Sequence, residues 1–566
     1  MIQKTFHFLF ISTLIYLNYF FEYEKKLTVV SIILVFYILI FRNIFFNYKN
    51  ISFGNNIKES KKYFFYIFLL ISTFLLQNYY LSFETLTWDV ASYLVAAQEI
   101  GNGYIPFETQ WESKGPLFLY LYFIISEISG NNLIYFKILN DVLIFISSLL
   151  IFEVVYVKSK KNILTSFISA LLFILLTSHE WFVSEFSEIY CLVFIGYATL
   201  IFIKKNNHRS LNHFYFIGFL ISCSTLINQG SVIFLIPYLI KVVFNENKGT
   251  KLFRLSVGFV VPHIIFILIY FLKNLEDVYF ANYISIPLNY SGSVNNSSFY
   301  ELSVILRRFY NYENFLYFSI ILIILFTIFN FLLKGKKINI TQFLDMIILN
   351  TGISVSLYFI ANHNYAHHLF YLIFFICTLT PFLNTIQVKT LCISIVISTV
   401  ILFFKVVPTS FDNLTNTANL YENYPLKILS EKIDNQFDSE YDILALEYVL
   451  VLYYLEIPNV SYIVHPGNHY EEYIVEKLLE LNKIQTNEFN HISYYIEEEP
   501  DVIMCNPTTV IWGVAEKTDF YNCGVDDYKK NYKKLDTTNI MQSPLRNLYI
   551  NPYEAMNVYI KMKDGS

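Results

Sequence analysis

Side chains that could do acid–base and anion-binding chemistry are concentrated in one polar stretch between two apolar runs. This stretch, residues 84–115, has Asp89 near its start and Glu112 and Lys114 near its end. A carboxylate at a membrane–water boundary can accept a proton, and a lysine there can hold an anionic headgroup as a point charge. A loop beside a membrane is also polar simply because water solvates it, so this second interpretation stays open.

Two further clusters of polar side chains lie immediately before later apolar runs. The acidic cluster is Glu180, Glu185 and Glu188, and the histidine cluster is His363, His367 and His368. Solvation at the wet end of a helix would explain the acidic cluster equally well. The histidines, together with Tyr365 and Phe370, would also suit an interfacial aromatic belt. The spacing of these residues along the sequence specifies no metal site.

The composition indicates a membrane protein. Of the 566 residues, 55% are hydrophobic and 15% are charged, and the mean hydropathy is +0.45. A soluble domain averages roughly 45–50% apolar and about 25% charged residues. The net charge of −5 excludes a strongly basic nucleic-acid binder, and six cysteines are too few for a disulfide scaffold of this length.

The apolar runs, with the lysines and arginines between them, predict about thirteen membrane spans. The N-terminus is expected inside and the C-terminus outside. The first two spans are Phe6–Phe21 and Leu27–Phe41, and the last is Leu391–Val407. Residues 84–115 then form a large first outer loop. The short apolar run Pro116–Ile128 is expected to lie along the outer surface or to re-enter the membrane rather than cross it.

Polar residues become frequent after Pro408, which predicts a separate soluble unit. Strands are predicted at Ile443–Leu446, Ser461–His465 and Asp501–Cys505, and helices at Glu447–Leu455 and Glu471–Lys483. We therefore expect a polytopic α-helical membrane protein with a juxtamembrane helix in its first outer loop and a C-terminal periplasmic α/β domain. The expected divisions are a helical hairpin with a cytoplasmic loop at 1–62, a transmembrane core at 63–407 and the soluble domain at 408–566.

Two of the six cysteines, Cys505 and Cys523, lie in the C-terminal tail, and the other four lie in apolar runs. An outer compartment is oxidising, so a disulfide between the two tail cysteines is permitted there. Two free thiols stay the alternative, because the geometry of a disulfide cannot be read from sequence.

The first outer loop resembles that of the lipid-linked-sugar glycosyltransferases with the C-type membrane fold. This group includes the dolichyl-phosphate-mannose protein mannosyltransferases and the bacterial 4-amino-arabinose lipid A transferases. Its pattern is an acidic residue with a tyrosine, a Gly-x-x-Pro turn, and Lys-Pro before an apolar run. The corresponding residues are Asp89 with Tyr93, Gly103 to Pro106, and Lys114 to Pro116. Gly115, between the lysine and the proline, departs from that pattern.

Three other segments resemble parts of the same group. Glu188 fits the group's acidic residue that enters a later span from outside, and residues 362–370 fit its aromatic and histidine cluster before a late span. Residues 443–466 resemble the strand–helix–strand opening of the group's periplasmic domain. The resemblance covers most of the chain and makes residues 63–407 a C-type glycosyltransferase core.

The resemblance implies an inverting transfer of a hexosyl or pentosyl unit from a polyprenyl-phosphate donor to a hydroxyl of a glycolipid, glycan or protein. Such a reaction would serve cell-envelope synthesis, for example of lipopolysaccharide, in the bacterial inner membrane. Asp89 would be the base. The donor phosphate would be bound by Lys114, His363, His367 and His368, and the sugar or acceptor by Tyr93, Glu112, Glu185 and Glu188. No cofactor is required, and a divalent metal stays open.

Other classes of membrane protein stay open as alternatives. A transporter or flippase for a lipid-linked glycan would concentrate charges in mid-membrane and could show inverted repeats. A polysaccharide polymerase or ligase would place its main basic loop between late spans and have no terminal α/β domain. A non-catalytic assembly protein would not need the polar residues between Asp89 and Lys114.

Overall fold

The computed structural model describes residues 62–84, 87–178, 182–205, 211–244, 247–292, 314–333, 345–360, 366–488, 490–506, 531–541 and 557–562. The part of the chain before the C-terminal sheet is helical. Its helices are α1 (Lys62–Gln77), α2 (Trp88–Gln98), α3 (Pro116–Ile128), α4 (Leu133–Lys158), α5 (Ile163–Thr177), α6 (Ser187–Lys205), α7 (His213–Ile227), α8 (Leu235–Val243), α9 (Lys248–Leu272), α10 (Glu276–Phe280), α11 (Ile286–Gly292), α12 (Asn314–Leu333), α13 (Met346–Ile360), α14 (Leu369–Cys377), α15 (Thr385–Thr415), α16 (Thr417–Glu422) and α17 (Pro425–Asp434).

Four helical segments among the described residues are long and apolar enough to cross a membrane. They are Lys62–Ser82, Leu133–Lys158, Ser187–Lys205 and Lys248–Leu272. The two halves of α15, which are bent by 43°, would make a fifth, and several apolar helices of 10–17 residues lie between these segments. These helices fit a polytopic membrane protein. The predicted spans Phe6–Phe21 and Leu27–Phe41 lie outside the described residues, so the number of about thirteen stays a prediction.

Capping residues fix where the helices around the first outer loop begin. The Thr87 hydroxyl accepts a hydrogen bond from Val90 N at the start of α2. Pro116 begins α3, where a missing N–H costs nothing because the first turn has no intrahelical acceptor for it. The Asn132 side chain accepts from two backbone amides at the start of α4. The polar residues 99–115 are therefore held between two well-defined helix ends.

Helices α7 and α9 pack with almost no space between their backbones. A Cβ placed on Gly258 would lie 2.0 Å from Tyr215 O, and one placed on Gly218 would lie 2.2 Å from Leu255 O. Close approach through small residues is a common way for helices to associate in a bilayer, where burial of apolar surface gives little driving force. The opposite face of α9 carries exposed apolar side chains such as Val260.

The C-terminal part contains a four-stranded mixed sheet flanked by helices. Strand β1 pairs with β2 in parallel, β2 and β3 both pair with β4 antiparallel, and the order is β1-β2-β4-β3. Cys505, in β2, is disulfide-bonded, and its predicted partner Cys523 lies outside the described residues. The elements are β1 (Ile443–Ala445), α18 (Leu450–Leu455), α19 (Glu472–Glu480), α20 (His491–Glu497), β2 (Val502–Cys505), β3 (Tyr532–Lys534), α21 (Thr538–Met541) and β4 (Asn557–Lys561).

The prediction of a strand at Ser461–His465 is wrong. Only Ile463 forms a β-bridge there, and its partner is Trp111 of the first outer loop rather than a strand of the sheet. Trp111 N donates to Tyr462 O at 2.7 Å, and Val464 N donates to Trp111 O at 3.4 Å. The apolar alternation of this segment thus serves contact between the C-terminal part and the outer loop.

A second contact joins the C-terminal part to the end of the α1 segment. The carboxylate of Glu84, which is fully buried, accepts from the backbone N–H groups of Leu426 and Lys427 at 2.8–3.0 Å. These amides begin α17, where an acceptor satisfies them and an anion is favoured by the helix dipole. Because α15 continues past Val407 to Thr415, the short helix α16 is the element between the helical core and this contact.

Candidate functional site

Asp89 lies in the first turn of α2, where the helix dipole favours a negative charge. Its Oδ1 accepts a hydrogen bond from the Tyr93 hydroxyl at 3.1 Å, across one turn of the helix. The Asp89 side chain is 32% exposed, whereas Tyr93 is fully buried. The carboxylate therefore has one fixed partner on its own helix and one side accessible to a ligand.

The C-terminal part contributes His465 to the same place. His465 Nε2 lies 3.7 Å from Asp89 Oδ1, and its Nδ1 accepts a hydrogen bond from Gly467 N at 3.1 Å. Because Nδ1 is the acceptor in that bond, a neutral imidazole carries its proton on Nε2, facing Asp89. The His465 ring packs edge-on against Trp88, whose indole N–H donates to Glu447 at 2.9 Å.

The sequence analysis missed His465, Trp88 and Glu447 as residues of this site. Trp88 directly precedes Asp89, and His465 ends the 443–466 segment that resembles the opening of a periplasmic domain. No spacing along the chain connects the two segments. Only the folded contact between the C-terminal part and the outer loop brings them together.

Two carboxyl groups near this point have pKa values displaced in opposite directions. Burial pushes the pKa of Asp89 upward, but the charges of His465, His367 and Lys114 outweigh burial and hold that pKa below its ordinary value. Burial also raises the pKa of Glu112, and here the neighbouring groups do not reverse the effect. Asp89 is thus kept ionised, and Glu112 holds its proton more readily than a free glutamic acid does.

Glu112 is fully buried beside Ser113. Its Oε1 accepts from Ser113 N at 2.6 Å and from the Ser113 hydroxyl at 2.8 Å. Its Oε2 has no hydrogen-bond partner within the described part of the chain. A buried polar atom without a partner is costly, which makes this oxygen available to a ligand hydroxyl.

The local structure explains the glycine between Lys114 and Pro116. Gly115 N donates to Ile227 O at 3.0 Å, and a Cβ on Gly115 would lie 2.1 Å from Leu226 O at the end of α7. Only a residue without a side chain fits this close approach. The contact holds Lys114 beside Asp89, with its ammonium 5.8 Å from the centre of the Tyr93 ring.

Glu188 lies in the first turn of α6 and is held by neutral donors and a histidine. Its Oε1 accepts from Asn228 Nδ2 at 3.1 Å and lies 3.9 Å from His368 Nε2, and its Oε2 accepts from the Ser187 hydroxyl at 3.2 Å. The adjacent His367 ring stacks on Phe186, with ring centres 4.2 Å apart.

One ligand atom from each of Glu188, His367 and His368 lies within 4.8 Å of the others, so the three residues could hold a metal ion. Two imidazoles and one carboxylate suit Zn²⁺ and related divalent ions. The sequence analysis named all three residues for other roles but did not combine them. Their separation along the chain gave no signal for a shared site.

One predicted site residue is not described by the structure, and another lies in a different cluster. His363 lies outside the described residues. Glu185 is buried, and its carboxyl group interacts mainly with Lys137; burial raises its pKa and the lysine partly offsets that effect. Asp141 belongs to the same cluster, and its i, i+4 spacing from Lys137 predicts an ion pair. Lys137 Nζ instead donates to the Phe83 carbonyl.

These helices, with the polar outer loop between α2 and α3 and the C-terminal sheet, form the C-type glycosyltransferase fold. The chain is similar to ArnT from Cupriavidus metallidurans bound to undecaprenyl phosphate, with a TM-score of 0.56 and 11% identity, over 90% of this chain and 99% of that one. For ArnT from the same organism in the apo state, the TM-score is 0.51 and the identity 10%, over 88% and 97%. The predicted resemblance to this fold group is confirmed. No family model and no curated protein matches the sequence.

Proposed function

We propose that this protein is an integral-membrane glycosyltransferase that moves a sugar from a polyprenyl phosphate to an acceptor hydroxyl. The reaction would take place at the outer face of the bacterial inner membrane, with the C-terminal α/β domain in the periplasm. The shared fold supports this proposal, since the neighbouring ArnT structure is described as bound to undecaprenyl phosphate. A donor made inside and presented outside needs no nucleotide site.

The observation that carries the proposal is the arrangement of one lysine and two imidazoles around one partly exposed carboxylate. Lys114, His367 and His465 come from three distant parts of the chain, and each acts electrostatically on Asp89. A general base placed beside a lysine and imidazole groups suits a reaction that removes one proton and releases one anion.

The bond changes follow from these positions. The acceptor hydroxyl oxygen attacks the anomeric carbon, and the bond from that carbon to the phosphate oxygen breaks with its electron pair on the phosphate. Asp89 takes the hydroxyl proton, and Lys114 offsets the negative charge on the departing lipid phosphate. Attack on the side opposite to the leaving group inverts the anomeric centre.

Other residues of the site would position the sugar and the acceptor. Glu112 Oε2 and the Tyr93 hydroxyl would contact sugar hydroxyls near Asp89. Glu188, His367 and His368 fit a divalent cation, which would offset charge on the donor phosphate. Glu185 lies in the cluster with Lys137, so we assign it no contact with the sugar.

The test is transfer by the purified full-length protein in lipid nanodiscs, with polyprenyl phosphate release as the readout and a lipid extract of the producing cell as donor and acceptor source. Asp89→Asn should slow release by about 10²- to 10⁴-fold, the usual contribution of a general base. Lys114→Ala should weaken donor use, whereas Lys205→Ala, at the exposed end of α6, should not. No release by the parent protein, or equal release by parent and Asp89→Asn, would contradict the proposal.

A further inference from the structure

A cleft of about 570 Å³ lies between the first outer loop and the C-terminal part. Its volume is within the range of small-molecule sites. The cleft is lined by parts of residues 99–110 and 458–462, and by Lys483 and Tyr495. The side chains of this lining include three tyrosines, three carboxamides, a carboxylate and a lysine.

The cleft is separate from the site around Asp89. Asp89 lies in the first turn of α2, and Glu99 directly follows the last residue of the same helix. The eleven residues of α2 rise about 16 Å along its axis. A ligand in the cleft therefore occupies the opposite end of the helix that carries Asp89.

Hydrogen bonds fix the walls of the cleft. Gln110 and Asn459 join the two sides, since the Gln110 side chain both donates to and accepts from the Asn459 backbone. The Asn459 side chain is used within its own part, where it bonds Ala445 and Ile463. Such a cleft exists before a ligand arrives, so binding would not have to order its walls.

The exposed groups in the cleft combine aromatic faces with hydrogen-bonding atoms. Tyr104 is 41% exposed, and its hydroxyl makes no hydrogen bond within the part of the chain that the structure describes. The ammonium of Lys483 lies over the Tyr462 ring, 5.6 Å from its centre, and likewise makes no hydrogen bond among the described residues. These groups offer an apolar surface and two polar contacts to a ligand.

The charges disfavour an anionic ligand. Lys483 is the cation of the cleft, and Glu108 lies within electrostatic range of it. The carboxylate of Glu99 accepts from Asn102 at 2.9 Å and from Thr109 at 2.6 Å, so it stays inside the cleft wall as a further acceptor. A phosphate would meet a carboxylate with only one cation to offset it. A neutral molecule with many hydroxyls and C–H faces fits both the rings and the polar atoms.

We propose that this cleft binds a short saccharide, and that it is an outlying site for the acceptor glycan. The proposal of saccharide binding depends only on the features of the cleft, whereas its assignment to the acceptor glycan rests on the proposed function. Sugar rings would lie against Tyr104, with ring hydroxyls donating to Glu99 and accepting from Lys483. An acceptor held at both ends of α2 would present its terminal hydroxyl to Asp89 more often than one held only there.

The experiment is saturation-transfer NMR on the full-length protein in detergent. The probe is a pool of oligosaccharides of about two to four residues, released by mild acid from the surface glycans of the producing cell. The parent protein and Asp89→Asn should bind the same component equally well. Tyr104→Ala and Lys483→Ala should each weaken that binding by about tenfold, the effect expected from losing one aromatic or one charge-assisted contact. Lys534→Ala, an exposed lysine on β3, is the matched control and should leave binding unchanged.

Three results would overturn the proposal: no binding by the parent, binding that Tyr104→Ala leaves intact, or binding that Asp89→Asn abolishes. The test also separates the two proposals. If the protein binds the saccharide through Tyr104 but releases no polyprenyl phosphate, the transferase function is contradicted and the proposal of a saccharide site in the cleft stands. If the protein transfers sugar but binds no saccharide, the proposed function stands and the proposal of a saccharide site in the cleft is contradicted.

Discussion

His465 Nε2 lies 3.7 Å from Asp89 Oδ1, although one residue belongs to the C-terminal part and the other to the first outer loop. The Gly467 amide fixes the tautomer of the imidazole, so that a proton on Nε2 faces the carboxylate. The C-terminal part is therefore a component of the Asp89 site and not only a neighbour of the helical core.

This contact predicts how removal of the imidazole changes the pH dependence of transfer. Because His465 lowers the pKa of Asp89, His465→Ala should raise it. A carboxylate with a higher pKa is protonated at higher pH, so the acidic limb of the kcat/KM profile should move to higher pH. The measurement is the rate of polyprenyl phosphate release between about pH 4 and 8.

If His465 had only a structural role, its removal would lower the rate at every pH without moving the acidic limb of the kcat/KM profile. His491→Phe is the matched control, because His491 also lies in the C-terminal part and only burial shifts its pKa. If the profiles of the parent and His465→Ala have the same acidic limb, His465 does not act on Asp89.

Glu112 and Asp89 differ in ionisation, and this difference predicts unequal effects of matched amide substitutions. Glu112→Gln replaces a carboxyl group that burial already favours as neutral, and the amide oxygen can still accept from Ser113. We expect Glu112→Gln to reduce transfer by about tenfold, well below the 10²- to 10⁴-fold loss for Asp89→Asn. The measurement is the initial rate of transfer by each variant at saturating donor. A larger loss of rate for Glu112→Gln than for Asp89→Asn would make Glu112 the base.

The cluster of Glu188, His367 and His368 predicts metal binding that can be measured without activity. Protein treated with a chelator and then dialysed against Zn²⁺ should retain the ion, and Glu188→Gln or His368→Ala should weaken its retention by about a hundredfold or more. Metal content by mass spectrometry is the readout. Glu185→Gln is the control, because Glu185 lies close in sequence but in the Lys137 cluster. Equal metal content in all of these variants would contradict the prediction.

The site residues that could be predicted from the sequence are those that lie together in one segment of the chain. Asp89, Glu112 and Lys114 lie in one loop, and membrane sidedness together with a short motif pointed to them. His465 could not be found in this way, since it belongs to the C-terminal part, whose contact with the outer loop includes the pairing of Trp111 with Ile463. An alternating apolar segment predicts a strand but not which backbone it will pair with.

Glu185 and Glu188 show that the sequence also fails to predict which of two nearby residues belongs to the site. Both precede one apolar run and both were expected to face the sugar. Glu188 lies in the first turn of α6 and meets His368, whereas Glu185 lies before the helix and interacts with Lys137. The direction of a side chain in a non-helical turn depends on backbone angles that no periodic pattern reveals.

The two buried histidines of the C-terminal part predict that the folded state loses stability in acid. His469 Nδ1 and His491 Nε2 are 3.2 Å apart and their rings are stacked. Burial lowers the pKa of His491 from 6.5 to about 4, and that of His469 falls as well, by burial and by the charge of His491. Between pH 6.5 and about 4 the unfolded chain thus binds more protons at these positions than the folded one does.

Stability is therefore complete above pH 6.5 and declines as the pH falls towards 4, by roughly 3 kcal/mol for His491 alone. Thermal unfolding of the full-length protein in detergent, followed at several pH values, should show the transition of the C-terminal part moving to lower temperature across this window. His491→Phe keeps an aromatic ring but cannot take a proton, so its transition should depend less steeply on pH. Tyr495→Phe is the matched control, because Tyr495 is a buried residue of the same helix α20 and burial raises its pKa further above 10, outside this window; this variant should keep the slope of the parent. A slope for His491→Phe that equals that of the parent would show that other groups cause the acid sensitivity.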